Sequence, residues 1–340
     1  MKRNLDSRSA KRIACLAIGC FALAPLLASA GTVPFPASAP QPHDCSHGVT
    51  LQLSSSVSAQ GDLVLVKVHS SKAMARLTAE WAGQKLLFWR DSLDESMYQA
   101  LVGIDLEEPA GTYSLALTAQ VENENAACSV PLTVRAGRFA TERLHVAKQF
   151  VEPNPSDLER AGRERQRLRE LYATVTPERL WQGGFRLPLA GVHKGGNFGR
   201  RRIVNGEPGS PHSGVDFPAA AGVPVHAAER GRVVLAENLF FSGNTVLLDH
   251  GLGVYSLYGH FESTAVAEGD VVEAGAVLGH AGATGRVTGP HLHWGLIVNG
   301  AKVNPLEIIR VLGPSREMAT NGRTRKIAGG SKNKETRHTR

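Results

Sequence analysis

The sequence predicts a mainly β chain: an Ig-like antiparallel β-sandwich over 48–136, a linker with one helix over 137–180, and an antiparallel β domain over 181–312. Three observations carry this. Short runs rich in branched residues recur between Gly and Pro turns, a heavily charged stretch with a thin apolar face interrupts them, and a glycine-rich, β-patterned region follows. At 340 residues, 42% apolar and 20% charged, the chain is long enough for two domains and globular in composition.

Met1 to Ala30 reads as a secretory signal. Lys2, Arg3, Arg8, Lys11 and Arg12 precede "IACLAIGCFALAPLLASA", which ends in the small-residue cleavage pattern Ala28-Ser29-Ala30. The alternatives are an uncleaved anchor and a lipoprotein box at Ala17-Ile18-Gly19-Cys20. Pro25 interrupts the apolar run, which falls short of the roughly 20 residues of a membrane span. Export would place the chain in the periplasm or cell envelope. Cleavage leaves only Cys45 and Cys128, expected to pair under oxidising conditions and tie together the ends of the N-terminal domain; the alternative is two buried thiols.

The net charge of +7 belongs to the ends: the leader carries +4 and the tail from Pro314 to Arg340 carries +6, leaving the middle near −3. No basic patch interleaved with aromatics occurs in the middle, so nucleic acid is not an expected partner. The 313–340 tail, low in apolar residues, is expected to be disordered, either plainly solvated or lying along anionic envelope polymers or lipids.

After a Pro-rich spacer over 31–47, "LVLVKVHS", "ALVGIDL", "TYSLALTAQV" and "VPLTVRA" supply the sandwich strands, with turns at Gln60-Gly61-Asp62 and Pro109-Ala110-Gly111. The linker helix is read from "PSDLERAGRERQRLRELY", with Ser156 as N-cap and Leu158, Leu168 and Leu171 as its apolar face. "GRVVLAEN", "NTVLLDHG", "GVYSLYGHF" and "GAVLGHAG" then give the strands of the last domain.

That domain holds the chemistry. In "HSGVDF", His212 and Asp216 sit at i, i+4, but Gly214, Val215 and Pro218 argue against a helix, so the pair belongs to a turn entering a strand. In "HLHW", His291 and His293 share one face of a strand while Leu292 points to the core. "YGH" adds His260 at the end of a β-type run. One carboxylate and four histidines therefore come from three separated segments. A catalytic zinc takes three protein ligands and keeps one position open, which leaves two histidines for acid–base work. His193, His226, His250 and His280 are read as ordinary core or surface residues, with His250 the nearest competitor.

"HSGVDFPAAAGVPVHAAERGRVV", "GNTVLLDHGLGVYSLYGHF" and "EGDVVEAGAVLGHAGATGRVTGPHLHWGL", in that order, resemble the lysostaphin/LytM-type zinc metallopeptidases, family M23. The similarity runs from about Gly191 to Pro305 and includes "NFGRRR" at 197–202, which is similar to the motif that opens the family's domain. The resemblance implies a small β fold of the duplicated hybrid motif type, with zinc held by His212, Asp216 and His293. It implies His260 and His291 as general base or transition-state stabilisers, and endopeptidase cleavage of peptidoglycan cross-links by metal-activated water.

Two rival functions compete with this reading. Some members of this family lack zinc ligands and activate other cell-wall hydrolases without catalysis; here every ligand position is filled, although an intact site can still serve a regulator. A biotinyl- or lipoyl-type carrier is suggested by "VAEGDVVEAGAVLG", but no lysine occurs between Lys194 and Lys302 to take the cofactor. The linker around Phe150 to Arg179 is also a candidate to occlude the groove.

Overall fold

The computed structural model describes residues 40–145, 154–192 and 195–313. The expected signal at 1–30, most of the spacer, His193 and the basic tail from Pro314 lie outside them. Between His43 and Arg135, alternating burial builds two five-stranded sheets. One orders His43–Asp44 (β1), Val49–Leu53 (β2), Leu63–Ser70 (β4), Met97–Gly103 (β8) and Trp89–Arg90 (β7). The other orders Val57–Ala59 (β3), Glu124–Arg135 (β10), Gly111–Val121 (β9), Met74–Trp81 (β5) and Gln84–Lys85 (β6). Every pairing is antiparallel except β3 with β10. Inward residues such as Leu51, Val66, Trp81, Leu117 and Leu132 fill the space between the sheets. Cys45, just after β1, is disulfide-bonded to Cys128 on β10, closing a sequence separation of 83.

A strand from the linker, Thr141–Leu144 (β11), pairs in parallel with Arg201–Val204 (β12), which pairs with Glu207–Pro208 (β13). The last domain is a nine-stranded antiparallel sheet: Gly214–Pro218 (β14), Pro224–His226 (β15), Gly231–Leu239 (β16), Gly243–Asp249 (β17), Val254–Thr264 (β18), Val271–Val272 (β19), Val277–Ala281 (β20), His291–Val298 (β21) and Ala301–Val303 (β22). Its main path runs β14-β21-β18-β17-β16-β19, while β20 bridges β15 and β18 and β22 flanks β21. The chain is thus mainly β, as its patterning predicts.

The sandwich and the last domain share one hydrophobic cluster. Leu63, Leu65, Trp89 and Leu101 of the sandwich join Trp181, Phe217, Trp294, Leu296 and Val298. The rings of Trp89 and Trp181 meet edge-on at 5.2 Å. In β4, Leu63 to Val66 are all buried, so this strand is covered on both faces, which its unbroken apolar run allows.

Two helices complete the chain. Pro155–Ala173 (α1) starts two residues earlier than its Ser156 cap predicts: Pro155 takes the first helical position, where its missing N–H costs nothing, and Asn154 becomes the N-cap, its side chain accepting from Asp157 N. Leu158, expected on the packed face, is exposed, while Leu168, Leu171 and Tyr172 pack against Leu235, Leu247, Tyr255, Leu257 and Ile297. Pro305–Leu312 (α2) is a helix the sequence reading missed; Asn304 caps it and Ile308 is buried. Among the described residues, no helix is long and apolar enough to cross a membrane.

Candidate metal centre

Strand register assembles the site. β14 and β21 run antiparallel with Asp216 directly opposite His293 and Pro218 opposite His291. Side chains of opposed residues share a face, so Asp216 and His293 must meet. His212 lies two residues before β14 and is held by the segment beside it: Gly199 N donates to His212 O at 2.8 Å and His212 N to Arg200 O at 3.0 Å. Three donor atoms then converge. His212 Nε2 is 3.0 Å from Asp216 Oδ1 and 2.9 Å from His293 Nδ1, and His293 Nδ1 is 3.0 Å from the same carboxylate oxygen.

The His212 ring is committed in advance. Its Nδ1–H donates to the Asn197 carbonyl at 2.9 Å, which leaves the Nε2 lone pair for a cation. Asn197 itself has φ +80°, a left-handed conformation that Asn tolerates better than most residues. Gly214 explains the glycine in the motif: a Cβ there would lie 2.6 Å from His293 Cε1. Burial by itself would raise the Asp216 pKa, but the close polar contacts of the His212 and His293 rings with the carboxylate outweigh it, holding the carboxyl well below the usual range. Burial also lowers the His293 pKa, favouring the neutral imidazole that a metal needs.

The other two histidines stand at the edge of this trio. His291 donates Nδ1–H to the Gly289 carbonyl at 2.9 Å, and its Nε2 lies 3.7 Å from Asp216 Oδ1. His260 donates Nδ1–H to the Thr284 carbonyl at 2.8 Å. Its ring centroid is 4.7 Å from that of His291 and 6.0 Å from that of His293. His260 sits where β18 changes partner: Gly259 pairs with His293 on β21, and Phe261 with Ala281 on β20. The ladder with β17 shifts register there and His260 adopts φ +67°, so a bulge turns its side chain towards the site. Burial, reinforced by the charges of His293 and His291, lowers its pKa to about 3.

All five residues singled out by sequence are therefore neighbours. His250 is not among them: buried in the core, it reaches the Arg230 carbonyl at 2.8 Å and Ser256 Oγ at 2.7 Å. His226 and His280 contact the Gly275 carbonyl and Ser263 Oγ. The residues that sequence reasoning missed act mainly through backbone carbonyls: Asn197, Thr284 and Gly289. Arg202, quoted only as part of a motif, places Nη2 4.0 Å from Asp216 Oδ2 and Nε 3.9 Å from Glu142 Oε2, while Arg200 reaches Glu142 Oε1 at 3.2 Å.

Helix α1 covers part of the histidine-bearing face without touching the trio. Leu257 opposes Gly295 and Tyr255 opposes Ile297, so these residues lie on the same side of the sheet as His293, further along β21. The helix packs on them. Residues 146–153 of the linker lie outside the described residues; among the described ones, no linker side chain hydrogen-bonds or ion-pairs with His212, Asp216 or His293, and Glu142 is linked to Asp216 only through Arg202.

Residues 210–305 match the model of Peptidase family M23. The chain carries a peptidase M23 domain. All five histidine and aspartate positions fall inside that match. Over 128 residues the chain is 38% identical to the DD-carboxypeptidase/endopeptidase Mpg of Neisseria meningitidis, covering 37% of this chain and 30% of that protein. It is 40% identical over 113 residues to the peptidoglycan DD-endopeptidase ShyA of Vibrio cholerae, covering 32% and 26%. The chain thus spans under a third of these curated relatives. A crystal structure assigned to peptidase M23 from Pseudomonas aeruginosa aligns with a TM-score of 0.51 and 28% identity over 74% of this chain and 94% of that one. That coverage extends well beyond the M23 domain.

Proposed function

We propose that the protein is a zinc-dependent endopeptidase that hydrolyses peptide cross-links of bacterial peptidoglycan. One observation carries this reading: His212, Asp216 and His293 present three donor atoms within 4.8 Å of one another, with two further imidazoles alongside. Two histidines and a carboxylate form a zinc-type donor set, and three ligands leave a position open. Bound there, zinc would act as a Lewis acid on the scissile carbonyl and make water nucleophilic at neutral pH. The names of Mpg and ShyA favour D,D-linked peptidoglycan peptides as substrate, which implies action outside the cytoplasm.

The chain's own residues do the rest. His212 stays buried at 2% exposure and serves only as a ligand, whereas His291 at 21% is open to substrate. Both His260 and His291 spend Nδ1–H on backbone carbonyls, so each presents Nε2 to the site without changing tautomer. His260, kept neutral by burial, is an acceptor at physiological pH. His291, nearer to Asp216 and to solvent, is the better placed of the two to take a proton from attacking water and return it to the leaving amine.

The test combines metal analysis of the purified protein with mass spectrometry of peptides released from purified peptidoglycan. One zinc per chain and soluble cross-link fragments, lost in His291→Ala, are expected. Stoichiometric zinc without any release would overturn the enzyme and favour a regulator of other hydrolases.

A further inference from the structure

The loop from Gly282 to Pro290 carries a charge that the proposed mechanism does not use. Arg286 lies between Thr284, whose carbonyl holds His260, and Gly289, whose carbonyl holds His291. Two residues of chain to Thr284 and three to Gly289 reach at most roughly 7 and 11 Å, so its backbone is anchored near the proton-handling imidazoles. The guanidinium lies over the Phe241 ring, with Cζ 4.4 Å from the centroid, and its backbone N–H donates to the Phe241 carbonyl at 2.8 Å. The stacked ring restrains the side chain, and among the described residues nothing hydrogen-bonds the forked donors along the edge of the guanidinium. Phe241 is fixed in turn, since Gly285 packs against the Phe241 carbonyl so closely that a Cβ would come within 2.6 Å.

Among the described residues, Arg286 has no carboxylate partner. Arg202, the neighbouring cation, faces both Asp216 and Glu142. Burial, and then the like charge of Arg202, hold the Arg286 pKa below the usual arginine value. A partly buried cation without a counter-ion is costly unless a ligand completes it.

We infer that Arg286 is a specificity-determining residue that binds the free α-carboxylate on the leaving side of a D,D-peptide bond. The inference rests on the peptidase reading and narrows its substrate class. In a D-alanyl link to the D-centre of a diamino acid, the residue that donates the amine keeps its own carboxylate, as does the last residue of a D-alanyl-D-alanine terminus. An interior glycyl-glycine bond has no carboxylate at that place. A planar fork carried by the loop that also holds both proton-handling imidazoles recognises the first kind and finds no partner in the second.

The test uses the zinc-loaded full chain and calorimetric titration with a non-hydrolysable ketomethylene analogue of acetyl-D-alanyl-D-alanine and with its C-terminal carboxamide. The wild type is expected to bind the carboxylate at least ten-fold more tightly. Arg286→Met, which keeps an unbranched stem over Phe241, should abolish the preference with zinc content and melting temperature unchanged. Arg286→Lys should retain part of it, which keeps the test decisive if the Met variant misfolds. Equal affinity of the wild type for both ligands, or a preference that survives in Arg286→Met, would overturn the inference. In turnover of a D,D-linked muropeptide dimer, the Met variant should raise KM about ten-fold with kcat within three-fold. A wild type that prefers the carboxylate yet releases no peptide would sink the peptidase reading and leave the carboxylate site standing.

Discussion

A methyl group at Gly214 would meet His293 Cε1 at 2.6 Å and the Trp294 carbonyl at 2.6 Å, and neither can retreat, because one belongs to the donor trio and the other to the ladder of β21. Gly214→Ala is therefore expected to lower stability by an overpacking cost of about 1–3 kcal/mol, seen as a lower melting temperature, and to weaken zinc binding, read by competition with a chelating dye. His291→Ala should keep its metal and lose about 10²–10⁴ in kcat, while His293→Ala should lose the metal itself; metal analysis beside turnover separates them. These side chains were legible because strand periodicity puts His291 and His293 on one face whatever the rest of the fold does. The carbonyls of Asn197, Thr284 and Gly289 were not, since every residue has one and only the folded chain says which are aimed at an imidazole.

Among the elements, β18 departs furthest from its sequence pattern. "GVYSLYGHF" reads as one strand, and it is one, but the change of partner after Gly259 and the left-handed His260 depend on where β20 and β21 diverge, which no local run encodes. The helices show the same limit. The charged stretch of α1 is readable by length, yet Leu158, expected on its apolar face, is exposed and stays outside the cluster that Leu168 and Leu171 join. Helix α2, only eight residues long, is too short for periodicity to stand out, although Asn304 and Pro305 form a capping signal. Asn304→Ala removes the acceptor for Leu306 N and is expected to cost about 1 kcal/mol, measured by urea denaturation.

At the level of the whole molecule, the expected two β regions merge. "LVLVKVHS" was legible as a strand, but burial on both faces was not, because the residues covering its second face come from beyond Trp181. The Cys45–Cys128 bond restrains a long loop of the unfolded chain, and replacing both cysteines by serine should lower stability by about 2–4 kcal/mol in denaturant titrations. Stability should also fall on acidification. His250, fully buried, has its pKa lowered by burial from 6.5, so it stays neutral when folded and binds a proton when unfolded. Its contribution is complete above about pH 6.5 and shrinks as pH drops. Melting temperature should decline below that point, with a shallower slope in His250→Gln; equal slopes would contradict the assignment. The pairing of β11 with β12 bears on how the chain is cut for study. An excision at Trp181 discards Glu142 with its strand, so Arg202 keeps Asp216 as its sole carboxylate neighbour. Kinetic constants from that trimmed fragment would describe an altered electrostatic setting, and the intact polypeptide is the proper reference.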